Sequence, residues 1–233
     1  MNLLTINRLN HYYGQSHTLR DVSFDINQGA CTCLMGRNGV GKTTLAKCLM
    51  GLENTHSGEL LYDSIALESL PAQKRAPIGI GYVPQGRQIF PLLTVEENIR
   101  TGFFGSTEKS NHIPQRIFDL FPVLKAMKRR RGGDLSGGQQ QQLAIARALV
   151  LEPKLLILDE SGEGIQPSIV QEIADVVNML SRDQGIAVLL IEQKLPFIRK
   201  VADRFVIMDR GSVVAKGEMA DLNSDTVKQY LVV

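Results

Sequence analysis

Gly36-Arg37-Asn38-Gly39-Val40-Gly41-Lys42-Thr43 is the stretch on which the fold turns. It follows an apolar run at 30–35 that suits a buried strand, and it opens a helix expected over 42–49. A strand, a glycine-rich loop and a helix in that order make GxxxxGK[ST] a phosphate site. Gly36, Gly39 and Gly41 let successive backbone N–H groups converge on one anion at the positive end of the helix. Lys42 is placed to reach the outer phosphates, and the Thr43 hydroxyl to hold a Mg²⁺ that bridges them. The flanking strand and helix carry all three cysteines, Cys31, Cys33 and Cys48. Cys31 and Cys33 share one strand face, as small core residues of a reducing compartment rather than a redox or metal pair.

Upstream, 2–9 and 19–26 alternate as short strands around His11-Tyr12-Tyr13-Gly14, which reads as a turn. Tyr13 is either an ordinary half-buried turn tyrosine or, if these strands fold over the nucleotide site, a ring on which a purine stacks. Downstream, 58–63 and 79–83 read as strands, the second ending in Pro84-Gln85-Gly86. The Gln85 amide can reach a metal or a water without adding charge, although a loop glutamine is ordinarily just solvated. Thr94-Val95-Glu96-Glu97 has the form of a capping box and predicts a helix through Ile99.

From 86 to 150 strand signals vanish, and Ile117, Leu120, Phe121 and Leu124 recur at helical spacing. This stretch is expected as a helical subdomain inserted into an α/β core formed by 1–85 and 151–233, the whole making one domain. Its basic run of Lys125, Lys128, Arg129, Arg130 and Arg131 can meet phosphates or acidic lipid, and reads more simply as a solvated face. Asp134-Leu135-Ser136-Gly137-Gly138-Gln139 opens the next helix. Ser136 and Gln139 suffice for a capping box, but two glycines in a first turn point to close approach onto the backbone. A second anion surface is expected there.

Leu155-Leu156-Ile157-Leu158 suits a strand buried on both faces, and Asp159 and Glu160 then emerge at its C-terminal edge, where α/β sheets bind ligands. Asp159 can share the Mg²⁺ with Thr43, and Glu160 can orient or deprotonate an attacking water. Ser168 and Gln171 are expected to cap a helix with Ile169, Ile173, Val176, Val177 and Leu180 as its core stripe. Residues 186–191 form another apolar strand ending in Glu192-Gln193, with Gln193 placed to sense the outermost phosphate. The segments 201–208 and 211–215 read as a closing hairpin, followed by a helix from 225.

The 233 residues, 43% of them hydrophobic, can bury a full core. A formal net charge of +2 lacks the basic excess of a nucleic-acid binder. No apolar run approaches the roughly 18 residues of a membrane span, and the first residues show no secretory signal, so a soluble chain is expected.

Taken together, these residues resemble the ATP-binding subunit of ABC transporters over essentially the whole chain. Gly36 to Thr43, with Thr44 after them, match the Walker A motif, Gln85 the Q-loop, and Leu135-Ser136-Gly137-Gly138-Gln139 the LSGGQ signature without a mismatch. Leu155 to Asp159 match Walker B, and Glu160 the catalytic glutamate. Tyr13 then matches the adenine-stacking aromatic of the family. The phrases Val83-Pro84-Gln85-Gly86-Arg87-Gln88-Ile89-Phe90-Pro91 and Glu163-Gly164-Ile165-Gln166-Pro167-Ser168 are similar to the branched-chain amino-acid type of importer ATPase, and most of all to its urea and short-chain amide branch. Three positions depart from the superfamily: Gln193 stands where a histidine is usual, Gln166 where the D-loop has aspartate, and Ser161-Gly162 where Pro-Thr is usual. Gly162 is expected to loosen the backbone beyond Glu160 and slow hydrolysis.

The resemblance implies a P-loop ATPase core with a parallel sheet, a small antiparallel β subdomain and an inserted α-helical subdomain. It implies ATP and Mg²⁺ as cofactors and a head-to-tail dimer, each ATP lying between the Walker A of one subunit and the signature of the other. It further implies a motor for urea or short amides, or alternatively for branched-chain amino acids, at the cytoplasmic face of the inner membrane. The implied partners are a second, related ATPase, two membrane permeases and an external solute-binding protein. A soluble ATP-gated clamp is the alternative of a different class.

Overall fold

The computed structural model describes residues 1–105, 112–160, 162 and 164–231. Strands β1 (Asn2–Tyr13) and β2 (Ser16–Asn27) form a long hairpin, β3 (Cys31–Met35) leads into α1 (Lys42–Met50), and β4 (Ser57–Tyr62), β5 (Ile65–Ala66) and β6 (Ile80–Val83) follow. Helices α2 (Val95–Thr101), α3 (Gln115–Leu120), α4 (Pro122–Ala126) and α5 (Gly137–Leu149) precede β7 (Leu155–Asp159). Then come α6 (Pro167–Asn178) with a π-helical turn at Met179–Asp183, β8 (Ala187–Ile191), α7 (Leu195–Val201), β9 (Arg204–Asp209), β10 (Ser212–Glu218) and α8 (Ser224–Tyr230).

The strands form two sheets. One is antiparallel, in the order β2-β1-β4-β5; the other runs β10-β9-β3-β8-β7-β6 and is parallel except for β10. Period-two alternation divides the core. Cys31, Cys33, Leu156, Leu158, Val188, Leu190 and Phe205 face the layer of α5, α6 and α7, together with Ile117, Phe121 and Leu124 from the helical stretch. Leu34, Leu155, Ile157, Leu189 and Val206 face α1 and the antiparallel sheet, meeting Leu4, Ile6, Leu45 and Leu49. Both faces of the parallel sheet are therefore covered, which is why its central strands β7, up to Asp159, and β8 read as apolar runs. The three cysteines are buried and free, and burial pushes the Cys48 thiol up to about 12, so they serve as packing residues.

Arg75 ties the second core together from within. It is 4% exposed, and its guanidinium donates to the carbonyls of Cys48 and Leu49 at the end of α1, and to those of Leu67 and Leu70. A cation at a helix C-terminus also complements the helix dipole.

Several local expectations give way to the structure. Residues 11–13 are strand, not turn: β1 and β2 each reach 12 residues, accommodate register shifts near His11, and turn only at Gly14 (φ +58). The apolar stripe from Ile117 to Leu124 is broken, because Phe121 leaves helical dihedrals (φ −131, ψ 74) and Pro122 starts a new helix. Helix α6 is entered at Gln166 with Pro167 in its first turn, so Ser168 lies inside the helix and caps nothing. Val201 ends α7 rather than opening the hairpin. The boxes at Thr94 and Ser136 form as expected, each hydroxyl accepting from the N3 N–H and each N3 side chain from the N-cap N–H. The basic run folds against α2, where the Arg130 and Lys128 carbonyls accept from Val95 and Glu96 N–H, and the Lys128 ammonium sits 4.5 Å from the Phe118 ring centre.

Candidate functional site

The C-terminal ends of β3, β6, β7 and β8 deliver Gly36, Gln85, Asp159 and Gln193 to one edge of the parallel sheet, the edge at which such sheets bind ligands. In the loop from Gly36 to Gly41 the three glycine positions, all at positive φ, are stereochemically reserved for glycine. Gly36 (φ +147) passes so near β9 that a Cβ would lie 2.4 Å from the Met208 carbonyl oxygen, and at Gly41 (φ +108) one would lie 2.9 Å from the Leu19 side chain. Gly41 is the N-cap of α1 and supplies no side-chain acceptor, which leaves the first N–H groups for a ligand. Asn38 and Val40 complete the loop, and Thr44 follows in the first turn of α1.

Lys42 is 5% exposed, and its ammonium donates to the carbonyls of Gly36 (2.8 Å) and Arg37 (2.9 Å), curling over the loop it serves. Burial pushes its pKa down, opposed by the carboxylates of Glu160, Asp159 and Glu192. The Thr43 hydroxyl donates to Asp159 Oδ1 at 3.4 Å, while Asp159 Oδ2 is buried without a partner. Burial pushes the Asp159 carboxyl up to about 6, against the Thr43 bond. An unpartnered buried oxygen beside a hydroxyl fits a hard divalent cation. Among the described residues no three His, Cys, Asp or Glu side chains converge as a metal site, so a cation here would take its remaining ligands from phosphate and water.

Glu160 has a left-handed backbone (φ +51), with its N–H bonded to the Ile191 carbonyl at 2.9 Å. Its carboxylate lies between two amides: Gln85 Nε2 donates to Oε2 at 2.5 Å and Gln193 Nε2 to Oε1 at 3.3 Å. Gln193 Nε2 also donates to Asn38 Oδ1 at 2.6 Å, which joins the phosphate loop to the carboxylate. The cluster can therefore grip an anion with backbone and ammonium, hold a cation with Asp159 and Thr43, and present a carboxylate to a water.

Tyr13 stands beside this loop. Its hydroxyl donates to Glu53, Thr44 is close by, and its ring meets His11 edge-on at 4.6 Å. With 44% of the residue exposed, the ring keeps an open side. The segment from Leu135 to Gln139 lies at the start of α5. Here the glycines answer to this chain's own packing: a Cβ on Gly138 would lie 2.7 Å from Ile169, and one on Gly137 would lie 3.1 Å from the Arg87 guanidinium.

Glu192 plays a part that sequence reasoning missed. It is 4% exposed, accepts from the N–H groups of Gln193 (2.8 Å), Lys194 (3.1 Å) and Gly162 (3.2 Å), and lies within electrostatic reach of Lys42. Gly162 is accordingly held rather than loosened, with Lys194 Nζ donating to its carbonyl at 2.6 Å. Ser161 and Glu163, also singled out in the sequence, lie outside the described residues. The only sequence signal for Glu192 is a charge at the end of an apolar strand.

A family pattern described as ABC transporter matches residues 19–162. The high-affinity branched-chain amino acid transport ATP-binding protein BraG of Pseudomonas aeruginosa is 40% identical over 214 residues, 91% of each chain. The probable branched-chain amino acid transport ATP-binding protein LivF of Archaeoglobus fulgidus is 36% identical over 218 residues, 92% of each chain. A solved ATP-binding subunit of an ABC transporter superposes with a TM-score of 0.83 at 28% identity, over 94% of this chain and 91% of that one. Sheet order, phosphate loop and comparisons agree: the chain belongs to the ABC transporter family, as an ATP-hydrolysing ATP-binding subunit.

Proposed function

We propose that this chain is the motor subunit of an importer for branched-chain amino acids. The observation that carries the proposal is the near full-length match to two relatives named for that solute class, on a chain whose loop, acids and amides converge at one sheet edge. Those names favour branched-chain amino acids over the urea and short amides expected from the sequence phrases alone.

In this reading the backbone from Gly36 to Thr44 and the Lys42 ammonium hold the ATP phosphates, and Tyr13 stacks on the adenine. Thr43 and Asp159, with Gln85, would hold a Mg²⁺, which would supply charge neutralisation on the phosphates. Glu160 orients the attacking water and accepts its proton, and Gln193 links that carboxylate to the loop that senses the γ-phosphate. Ser136, Gly137, Gly138 and Gln139 close on the ATP of a second subunit in a head-to-tail dimer. Residues 86–150 form the helical unit of a single ATPase domain and carry that surface.

The partners in this reading are a related second ATPase, two permeases at the cytoplasmic face of the membrane, and an external solute-binding protein. No helix among the described residues is long and apolar enough to cross a membrane. A groove between Leu52, Tyr82, Phe90, Phe104 and Arg147, with Phe104 90% exposed, suits a short amphipathic helix of a permease.

The test is uptake of labelled leucine and labelled urea, side by side at low external solute, in cells carrying this chain or its Lys42→Ala form. Loss of leucine uptake is expected. Loss of urea uptake alone would move the motor to the amide branch, and no change in either would revive the soluble clamp.

A further inference from the structure

We propose that Glu192 is a positioning residue for hydrolysis, its buried carboxylate fixing Glu160 and Gln193 relative to one another. The proposal rests on the assignment of those two residues above. The turn after β7 is stapled to the turn after β8 at two points: Glu160 N–H to the Ile191 carbonyl, and Gly162 N–H to Glu192 Oε2. The other carboxylate oxygen, Oε1, holds the N–H groups of Gln193 and Lys194, so the same side chain shapes the turn that aims the Gln193 amide. Lys194 closes the staple from the far side through the Gly162 carbonyl. One carboxylate thus sets the backbones on either side of the 3.3 Å contact between Gln193 Nε2 and Glu160 Oε1.

Gly162 and Glu192 are a matched pair. A Cβ at 162 would lie 2.8 Å from Glu192 Oε2, so any side chain there displaces the carboxylate from its place.

Two substitutions break the staple differently. In Glu192→Gln the amide oxygen can still serve Gln193 and Lys194, but its NH₂ faces the Gly162 N–H, donor against donor. Gly162→Ala leaves the carboxylate intact and pushes it aside. Each is measured by steady-state ATP hydrolysis on the full chain, alongside nucleotide binding and a thermal melt. A misplacement of the water-orienting group by a fraction of an ångström predicts a kcat lower by about 10- to 100-fold. KM for ATP is expected to stay within about twofold, because the phosphate grip is untouched. The double variant is expected to be no slower than the slower single, since both remove one contact.

A raised KM with unchanged kcat would overturn the proposal, showing that Glu192 acts on phosphate binding through Lys42. Multiplying effects in the double variant, or no effect in either single, would overturn it too. Should Glu192→Gln fail to fold, seen as loss of nucleotide binding, Gly162→Ala decides alone. Glu160→Gln run in parallel separates the two levels. Full turnover in that variant sinks the assignment of Glu160 itself, whereas its loss beside active Glu192 and Gly162 variants sinks only the staple.

Discussion

Arg75→Ala removes a donor fork that serves four backbone carbonyls, three of them over bonds of 2.7 Å in buried surroundings. The Cys48 and Leu67 carbonyls keep the N–H groups of Gly51 and Leu70, but those of Leu49 and Leu70 lose their donor at about 1–3 kcal/mol each, for a net loss of about 4 kcal/mol. A chain of roughly 150–250 residues loses about 2–4 °C of melting temperature per kcal/mol, so the midpoint is expected to fall by about 8–16 °C. The assay is a calorimetric or far-UV circular dichroism melt of nucleotide-free protein. Arg129→Ala, on the surface, is the reference and is expected to stay within about 0.5 kcal/mol. Arg75→Lys keeps the charge but loses the planar fork, and is expected to recover about half the loss. A fall of less than about 3 °C for Arg75→Ala would mean that water replaces the guanidinium in full, and the reasoning from unsatisfied carbonyls would be wrong.

Lys42→Ala is expected to weaken ATP binding about 100-fold in a fluorescent-nucleotide titration, the loss of roughly one charge-assisted contact, and unchanged affinity would refute the phosphate-loop assignment. Asp159 carries a carboxyl raised to about 6 chiefly by burial. Such a group contributes stability that is complete below its unfolded value near 4 and is lost as pH rises through about 6. In protein free of Mg²⁺ and nucleotide, Asp159→Asn is therefore expected to stabilise at pH 8 by up to about 3 kcal/mol and to be nearly neutral below pH 4. Melts at both pH values check the sign, and a gain that grows on acidification would refute it.

The parallel core was legible in the sequence because both of its faces are covered: β8 is apolar throughout and β7 up to Asp159, and the glycine loop had to follow a buried strand of the same sheet. The capping boxes at Thr94 and Ser136 were legible because their chemistry is local. What escaped depends on partners distant in sequence. The His11 segment looked like a turn because Gly14 follows it, but pairing with β2 holds it as strand through register shifts. Ser168 mimicked a cap, yet Pro167 claimed the first turn. Gly137 and Gly138 suggested an anion alone, whereas Ile169 and Arg87 already demand their lack of a side chain. Glu192 offered no spacing to Gly162 that a linear pattern could register.

The place of β3 in its sheet bears on how the molecule is made. Cys31 pairs with Val188 and Thr32 with Arg204, so the strand that launches the phosphate loop is flanked on both sides by strands from the last third of the chain. A ribosome has produced the loop and its lysine long before either neighbour exists. Nucleotide therefore cannot template the early steps of folding, because the loop has no fixed frame until β8 and β9 have closed long stretches of chain onto it. Until then the apolar β3 waits unpaired, and the nascent chain at that stage is the form most in need of protection from aggregation.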